Sequence, residues 1–202
     1  MVTMEINAAM VKKLRDATGA GMMECKAALT EANGDLEAAT TLLRKRGLAA
    51  ASKKAGRSTS EGLVGHYIHM GGKIGVLVEV NCESDFVART EKFQELTKEI
   101  AMHIAAANPT YVRREEVPAD LVAREKEIYK DQVKDKPAQV IDKIIDGKLN
   151  SYYQQVCLME QASVRDPNVT IQQLVQDAIR LLGENITISR FTRMKVGEQA
   201  AQ

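Results

Sequence analysis

The sequence predicts an α+β protein, in which three short helices precede a small three-stranded antiparallel sheet that helices cover on one side. Along most of the chain, apolar residues recur every three or four positions, as in amphipathic helices. They alternate instead from Gly62 to Cys82 and from Ile186 to Val196, as in strands. The predicted organisation is a three-helix domain over 1–48, a linker over 49–61, a core domain over 62–197 and a tail over 198–202.

The boundaries of the N-terminal helices follow from local signals. The first helix begins after Asn7, a good N-cap, and Gly19 ends it. The second begins at Met22, after a glycine-rich loop. Asp35 caps the third, and Gly47 is predicted to end it after three basic residues, which suit a helix C-terminus. The small, polar and basic residues that follow are expected to form a linker that is helical only at its start.

The predicted sheet begins with a hairpin. Gly71-Gly72 separates the strands Leu63–Met70 and Lys73–Cys82, which indicates a tight turn. Four apolar residues of the second strand share one face, and Leu77 is expected to add burial on the other. These four are Ile74, Val76, Val78 and Val80. One face of the third strand is predicted to carry Ile188, Arg190, Thr192 and Met194.

Four helices are predicted between the second and third strands. The first runs from Thr90 to about Ala107, where Asn108-Pro109 ends it. A highly charged helix from Pro118 to about Lys134 and a longer one beginning at Pro137 follow. The last is a clear amphipathic helix that Thr170 caps and Gly183 closes.

Composition argues against several classes of protein. The net charge is +1 and 45% of the residues are hydrophobic, unlike a basic nucleic-acid-binding domain or a disordered chain. Cys25, Cys82 and Cys157 lie far apart, so reduced and mostly buried thiols are expected. The first residues lack a signal-peptide pattern, and no apolar run approaches the ~20 residues of a membrane span. We expect a cytoplasmic protein, or alternatively one of the plastid stroma, with neither nucleic-acid nor membrane partners.

The sequence shows no catalytic constellation. His66 and His69 lie three apart in a predicted strand and should face opposite sides, which does not suit a shared metal. His103 is expected at the surface of a helix or in helix packing, and phosphate-binding glycine motifs are absent. A Cys82 nucleophile with a His66 base remains an alternative that nothing marks. We expect no enzymatic activity, no metal and no cofactor.

Two features indicate contact with a partner. Met22 and Met23 are adjacent at a helix start beside Gly21, and methionine suits adaptable contact surfaces. The alternative, that both methionines cap the small core, is equally open. Phe86 follows Asp85 where a strand has ended and a helix begins. From the residues alone, a Phe86 folded back onto the sheet is favoured over an exposed one.

Residues 18–23, with Cys25-Lys26 and Ala28-Leu29, are similar to the N-terminal domain of the elongation factor Ts family. Residues 81–89, Asn-Cys-Glu-Ser-Asp-Phe-Val-Ala-Arg, resemble its central signature, with Ser84 where the family usually has threonine. Residues 100–105 and 183–191 resemble further family segments. The resemblance therefore covers nearly the whole chain in order.

This resemblance implies a guanine-nucleotide exchange factor of translation elongation. Such a protein binds elongation factor Tu in its GDP-bound and nucleotide-free forms and expels GDP, so that GTP can load. The N-terminal domain would resemble a ubiquitin-associated three-helix fold and dock on the GTP-binding domain of the partner. Gly21, Met22 and Met23 are the docking candidates that it offers.

The resemblance also assigns roles in the core domain. Asp85 and Phe86 would insert beside the nucleotide of the partner and disturb its magnesium ion and phosphate loop. Ser84 and Val87 would shape that turn, and Arg89 would steady it. His69 or Met70, at the end of the hairpin, would contact another domain of the partner.

Finally, the resemblance implies a homodimer. Longer family members resemble a duplicated core with two sheets, whereas short members with one sheet form homodimers. Two interpretations from other classes remain open. One is an enzyme that uses Cys82 or the histidines, and the other is an adaptor that binds peptides or ubiquitin-like proteins through the N-terminal module alone.

Overall fold

The computed structural model describes residues 6–134 and 137–198, and within them it confirms the α+β class. The N-terminal region consists of α1 (Ala8–Thr18), α2 (Met22–Glu31) and α3 (Leu36–Lys54). The strands are β1 (Glu61–Ile68), β2 (Ile74–Cys82) and β3 (Ile186–Lys195). The helices between β2 and β3 are α4 (Asp85–Ala88), α5 (Glu91–Ala107), α6 (Ala119–Val133), α7 (Ala138–Val156) and α8 (Ile171–Leu182), with short 3-10 turns at Arg114–Glu116 and Leu158–Glu160.

Local capping explains where the N-terminal helices begin and end. The Asn7 side chain accepts a hydrogen bond from the Met10 amide at 2.9 Å, and Gly19 closes α1 in the left-handed conformation. Asp35 accepts from the first amides of α3. The three helices enclose a small apolar core, whose buried residues are Val11, Leu14, Ala20, Cys25, Ala28, Leu29, Ala39 and Leu43.

The prediction that α3 ends at Gly47 is wrong, because this helix continues to Lys54. A glycine inside a helix costs about 1 kcal/mol relative to alanine, which is why it reads as a stop signal. Here Gly47 packs against α8, where a Cβ atom would lie 3.1 Å from the Arg180 side chain. Ala51, further along α3, is buried in the cluster that fills the core domain. Packing on α8 thus offsets the glycine penalty, and the domain division at residue 48 stays a prediction.

The sheet has the order β1-β2-β3, and all its pairs are antiparallel. The β1–β2 turn contains Gly71 and Gly72, both at positive φ, as the hairpin signal predicted. Val76, Val78 and Val80 are buried beneath the helices, whereas Leu77 is 54% exposed on the opposite face. The predicted burial of Leu77 is wrong because α5 and α8 cover only one side of the sheet.

A β-bulge changes which residues of β3 face the core. Val80 pairs with Ile188 and Glu79 pairs with Arg190, so Ser189 is an extra residue between them. Ile188 is buried, but the bulge reverses the alternation, and Arg190, Thr192 and Met194 lie on the outer face. The prediction of one common face is therefore wrong after Ile188.

Helices α5 and α8 supply most of the core beneath the sheet. Phe93, Ile100 and Ile104 of α5 are fully buried, and the nearby His103 is buried too. The His103 ring lies 2.9 Å from Gln161 Oε1, and its Nδ1 lies 3.3 Å from the Val164 amide, which donates to it. Burial lowers the pKa of His103, so the neutral ring is favoured. The predicted alternative of a packing role on the helix is confirmed.

Helices α6 and α7 pack against each other around a separate apolar cluster. Its buried residues are Val133, Ile145 and Leu149. Arg114 connects this pair to the 3-10 turn at Leu158–Glu160 through an ion pair with Glu160, and its guanidinium lies over the Tyr153 ring. None of the helices within residues 6–134 and 137–198 combines the length and the hydropathy that a membrane span requires.

Candidate partner-binding site

A single helical turn, α4, connects the central strand to the long helix α5. Strand β2 ends at Cys82, and the Ser84 side chain then accepts a hydrogen bond from the Val87 amide at 3.5 Å. Thr90 caps α5 directly afterwards. We call residues 84–89 the tip. Its backbone is fixed at both ends by regular structure, so its side chains have defined directions.

Phe86 is the exposed apolar residue of the tip. Its side chain is 78% exposed, whereas Val87 and Ala88 are buried and anchor the turn to the core. Burying a phenylalanine is worth about 1.5–3 kcal/mol, and this fold forgoes that gain in the free protein. The expectation from the residues alone, that Phe86 folds back onto the sheet, is wrong. The exposure suits a residue that contacts another molecule.

Asp85 and Arg89 form an ion pair on the surface of the tip. Arg89 Nη2 donates to Asp85 Oδ2 at 2.7 Å across one helical turn. The Arg89 side chain is largely exposed and that of Asp85 about half exposed, so the pair contributes at most about 1 kcal/mol to stability. The contact holds the Asp85 carboxylate beside Phe86. The predicted steadying role of Arg89 is compatible with this geometry and stays a prediction.

Glu184 anchors the tip from a distant part of the chain. Its carboxylate accepts hydrogen bonds from the Glu83 amide at 3.1 Å, the Ser84 amide at 3.0 Å and the Ser84 hydroxyl at 2.6 Å. Glu184 directly follows Gly183, which closes α8 in the left-handed conformation. Sequence reasoning did not single out Glu184. The signal was its place in the family-like segment 183–191.

A second group of polar contacts supports the same anchor. Glu83 Oε1 accepts from the Asn185 amide at 2.6 Å, and Asn185 Nδ2 donates to the Arg57 carbonyl at 2.9 Å. Glu83 also pairs with the Arg57 guanidinium at 3.4 Å. The segments before β1, after β2 and before β3 are therefore joined at the base of the tip.

The alternative of a Cys82 nucleophile with a His66 base does not match the geometry. Cys82 is buried and pairs across the strands with Glu61, whereas His66 is exposed and pairs with Leu77. Burial, reinforced by the Glu184 carboxylate, raises the pKa of the Cys82 thiol. The thiol donates to the Ser84 carbonyl at 3.1 Å. Among the described residues, no group of three or more His, Cys, Asp or Glu side chains could hold a metal ion.

The docking candidates of the N-terminal region are at the surface. Gly21 caps α2, and Met22 and Met23 occupy its first turn. Both methionines are exposed, so neither closes the small core. From the residues alone, a role in partner contact and a role in capping the core were equally open for both methionines. Their exposure agrees with a role in partner contact.

His69 and Met70 lie at the other end of the hairpin from the tip. His69 follows β1, outside the strand in which it was predicted, and Met70 is 89% exposed in the turn. The β1–β2 ladder runs from the pair Glu61–Cys82 to the pair Ile68–Gly75, so Met70 and the tip flank the length of β2. At about 3.3 Å per residue, that length is roughly 25–30 Å.

The fold and this site together define a class of protein. It is an α+β protein that presents an exposed phenylalanine and a carboxylate on an anchored turn. Comparison with known proteins identifies the family. The model of the family "Elongation factor TS" matches residues 8–198, and the chain belongs to the elongation factor Ts family.

Individual relatives agree over nearly the whole chain. Elongation factor Ts of Fervidobacterium nodosum is 64% identical over 197 residues, which are 96% of this chain and 100% of that protein. The protein of the same name from Geobacter sulfurreducens is 61% identical, with 96% and 91% covered. That of Koribacter versatilis is 58% identical, with 96% and 90% covered.

Proposed function

We propose that this chain is a guanine-nucleotide exchange factor that binds elongation factor Tu with GDP and promotes GDP release, so that GTP can load. The observation that carries the proposal is Phe86, an exposed phenylalanine on a turn that Val87, Ala88 and Glu184 anchor. Because the backbone of the turn is already ordered, Phe86 can enter a partner with little further loss of backbone entropy. The names of the relatives place them in translation elongation and support this proposal.

In this proposal, Asp85 and Phe86 act together at the nucleotide site of the partner. The phenyl ring displaces side chains beside the phosphate loop. The Asp85 carboxylate brings a negative charge towards the phosphates and a competing oxygen towards the magnesium ion. Ser84 and Val87 hold the turn, and Arg89 orients Asp85.

Exchange of this kind needs binding energy and no bond chemistry, so the chain is not an enzyme in this proposal. The coupling is reciprocal: if the protein weakens GDP binding, GDP weakens the binding of the protein by the same factor. The protein is therefore released when nucleotide rebinds, and it can act on many partner molecules. Its relatives come from bacteria and its cysteines are unpaired and buried, which supports action in the bacterial cytoplasm.

The partner would be held at three places. Gly21, Met22 and Met23 dock on its GTP-binding domain, the tip reaches its nucleotide site, and His69 or Met70 contacts another of its domains. The roughly 25–30 Å length of β2 separates the last two contacts, so they can reach different domains of one partner.

Release of fluorescent GDP from elongation factor Tu tests the proposal. We expect micromolar amounts of this chain to raise the release rate by about tenfold to a hundredfold, a coupling within the range of allosteric systems. The measurement is stopped-flow fluorescence with excess unlabelled GTP. A release rate that does not change with the concentration of this chain would refute the exchange function.

We also propose that the chain forms a homodimer through the outer face of its sheet. Among the described residues, no helix covers this face. It carries four exposed apolar side chains, those of Val64, Ile68, Leu77 and Met194. Leu77 pairs with His66 on one side and Thr192 on the other, which places it in the middle strand. A second copy offers the same flat apolar surface, as an interface with two-fold symmetry requires.

Leu77→Lys is expected to dissociate this dimer. In a two-fold interface the two introduced charges would be buried near each other, which is strongly unfavourable. Light scattering should give twice the 22.2 kDa chain mass for the unchanged protein and the single-chain mass for the variant. Ile128→Lys, at an exposed position on α6, is the matched control and should leave the dimer intact. A single-chain mass for the unchanged protein would contradict the proposal.

A further inference from the structure

One arginine of the core reaches into the N-terminal domain. Arg180 lies near the C-terminal end of α8, and its side chain is only 9% exposed. Its Nη2 donates to the carbonyl of Thr18, the last residue of α1, at 2.8 Å. Its Nη1 lies 4.0 Å from Glu24 Oε2 of α2. This guanidinium is therefore in contact with two helices of the other domain.

These contacts lie on either side of residues 19–23, which are the α1–α2 connection and the first two residues of α2 and bear the docking candidates; we call them the docking loop. Thr18 directly precedes the docking loop, and Glu24 directly follows it. Glu24 Oε2 also accepts from the Gly21 amide at 3.2 Å, so the carboxylate faces both the loop and Arg180. Met22 and Met23 lie between these two points of attachment. Arg180 thus bonds the residue before the docking loop and lies beside the carboxylate of the residue after it.

The same end of α8 anchors the tip. Glu184 follows Arg180 by four residues and accepts the three hydrogen bonds from Glu83 and Ser84. Arg180 lies in the last turn of α8, and Glu184 follows the Gly183 cap that closes this helix. The docking loop and the tip are therefore both attached to one short stretch of chain, residues 180–184.

The joint around Arg180 is closely packed. Gly47 of α3 lies against its Cδ, and Lys54 Nζ donates to the Ile179 carbonyl at 3.3 Å. Asp177 Oδ1 lies 3.7 Å from Arg180 Nε, too far for a hydrogen bond. Among the described residues, this buried Nε has no acceptor. A guanidinium is costly to bury, and the hydrogen bond to the Thr18 carbonyl offsets part of this cost.

We propose that Arg180 is a positioning residue that fixes the docking loop at one distance and direction from the tip. This inference rests on the proposed exchange function. With both surfaces fixed, the second contact with one partner becomes intramolecular and has a high effective concentration. Without Arg180 the tip is still intact, but the docking loop and the tip no longer bind the partner at a fixed distance from each other.

Arg180→Met tests the inference, because it keeps an apolar stem and removes the guanidinium. In the GDP-release assay we expect the concentration for half-maximal exchange to rise at least about tenfold, with the rate at saturation unchanged. Arg180→Lys should recover only part of this loss, since one ammonium cannot reproduce the forked geometry. Arg44→Met is the control, because Arg44 is an exposed residue of α3 that lines a surface groove together with Thr18 and Arg180. An unchanged half-maximal concentration, or a lower saturated rate alone, would overturn the positioning role.

A second measurement needs no partner. Spin labels at Lys13→Cys and Lys98→Cys, both exposed, report the distance between α1 and α5 in the full chain. We expect a narrow distance distribution with Arg180 and a broad one with Arg180→Met. Equal distributions would contradict the inference even if exchange is confirmed. If the unchanged protein has no exchange activity, the exchange function fails, while the distances still decide the role of Arg180.

Discussion

Phe86→Ala is expected to slow GDP release from elongation factor Tu by about tenfold to a hundredfold at a saturating concentration of this chain. Phe86 is 78% exposed in the free protein, so its apolar surface can be buried only against the partner. That burial is worth about 1.5–3 kcal/mol, which corresponds to a change in rate of about tenfold to a hundredfold. The measurement is the maximal release rate in stopped-flow fluorescence.

The same variant separates the tip from the docking surfaces. We expect affinity for the GDP-bound partner to change by less than about threefold, because the loop at Met22 and Met23 and the hairpin end are intact. The free energy of unfolding should also stay the same, since Phe86 is not part of the core. Ile128→Ala, which removes another exposed apolar side chain, is the control. An unchanged maximal rate for Phe86→Ala would remove Phe86 from the mechanism.

Glu184→Ala is expected to lower the maximal exchange rate at least as strongly as Phe86→Ala does, although Glu184 itself is not proposed to contact the partner. The substitution removes the acceptor of three hydrogen bonds and leaves the Glu83 and Ser84 amides without it. Losing such an acceptor costs about 1–3 kcal/mol. We expect the free energy of unfolding to fall by this amount, and the tip to lose its fixed direction. Amide hydrogen exchange at residues 83–84 should become faster, which mass spectrometry can measure.

Two comparisons make this result specific to the tip. Glu184→Gln keeps one carbonyl oxygen as an acceptor. Its maximal exchange rate and its free energy of unfolding should lie between those of the unchanged protein and those of Glu184→Ala. Glu127→Ala removes an exposed carboxylate of α6, and we expect no change in either exchange rate or stability. If Glu184→Ala retains the full exchange rate while residues 83–84 exchange hydrogen faster, the tip does not need its anchor. That outcome would contradict the role given to Glu184.

The two kinds of variant should also differ from each other in kinetics. Arg180→Met should change the concentration dependence of exchange, whereas Phe86→Ala and Glu184→Ala should change the rate at saturation. The distinction follows from where each side chain lies: Arg180 contacts the base of the docking loop, and Glu184 contacts the base of the tip.

Several parts of the fold could be predicted because they depend on neighbouring residues. Asn7, Thr90 and Thr170 each cap the helix that follows them, through a side chain that bonds an amide three residues on. Gly183 ends α8 in the left-handed conformation, and Gly71-Gly72 forms the hairpin turn. In each case the deciding interaction lies within a few residues of the chain.

The sequence by itself thus determined the order of helices and strands, the hairpin and, through its motifs, the family. Only the tertiary structure decided that α3 continues past Gly47, that the bulge at Ser189 turns three residues of β3 outward, and that Phe86 faces solvent. Each of these depends on contacts between distant parts of the chain: α3 with α8, β3 with β2, and Glu184 with the tip. Local propensity carries no information about such contacts, because their energy appears only when the chain has folded.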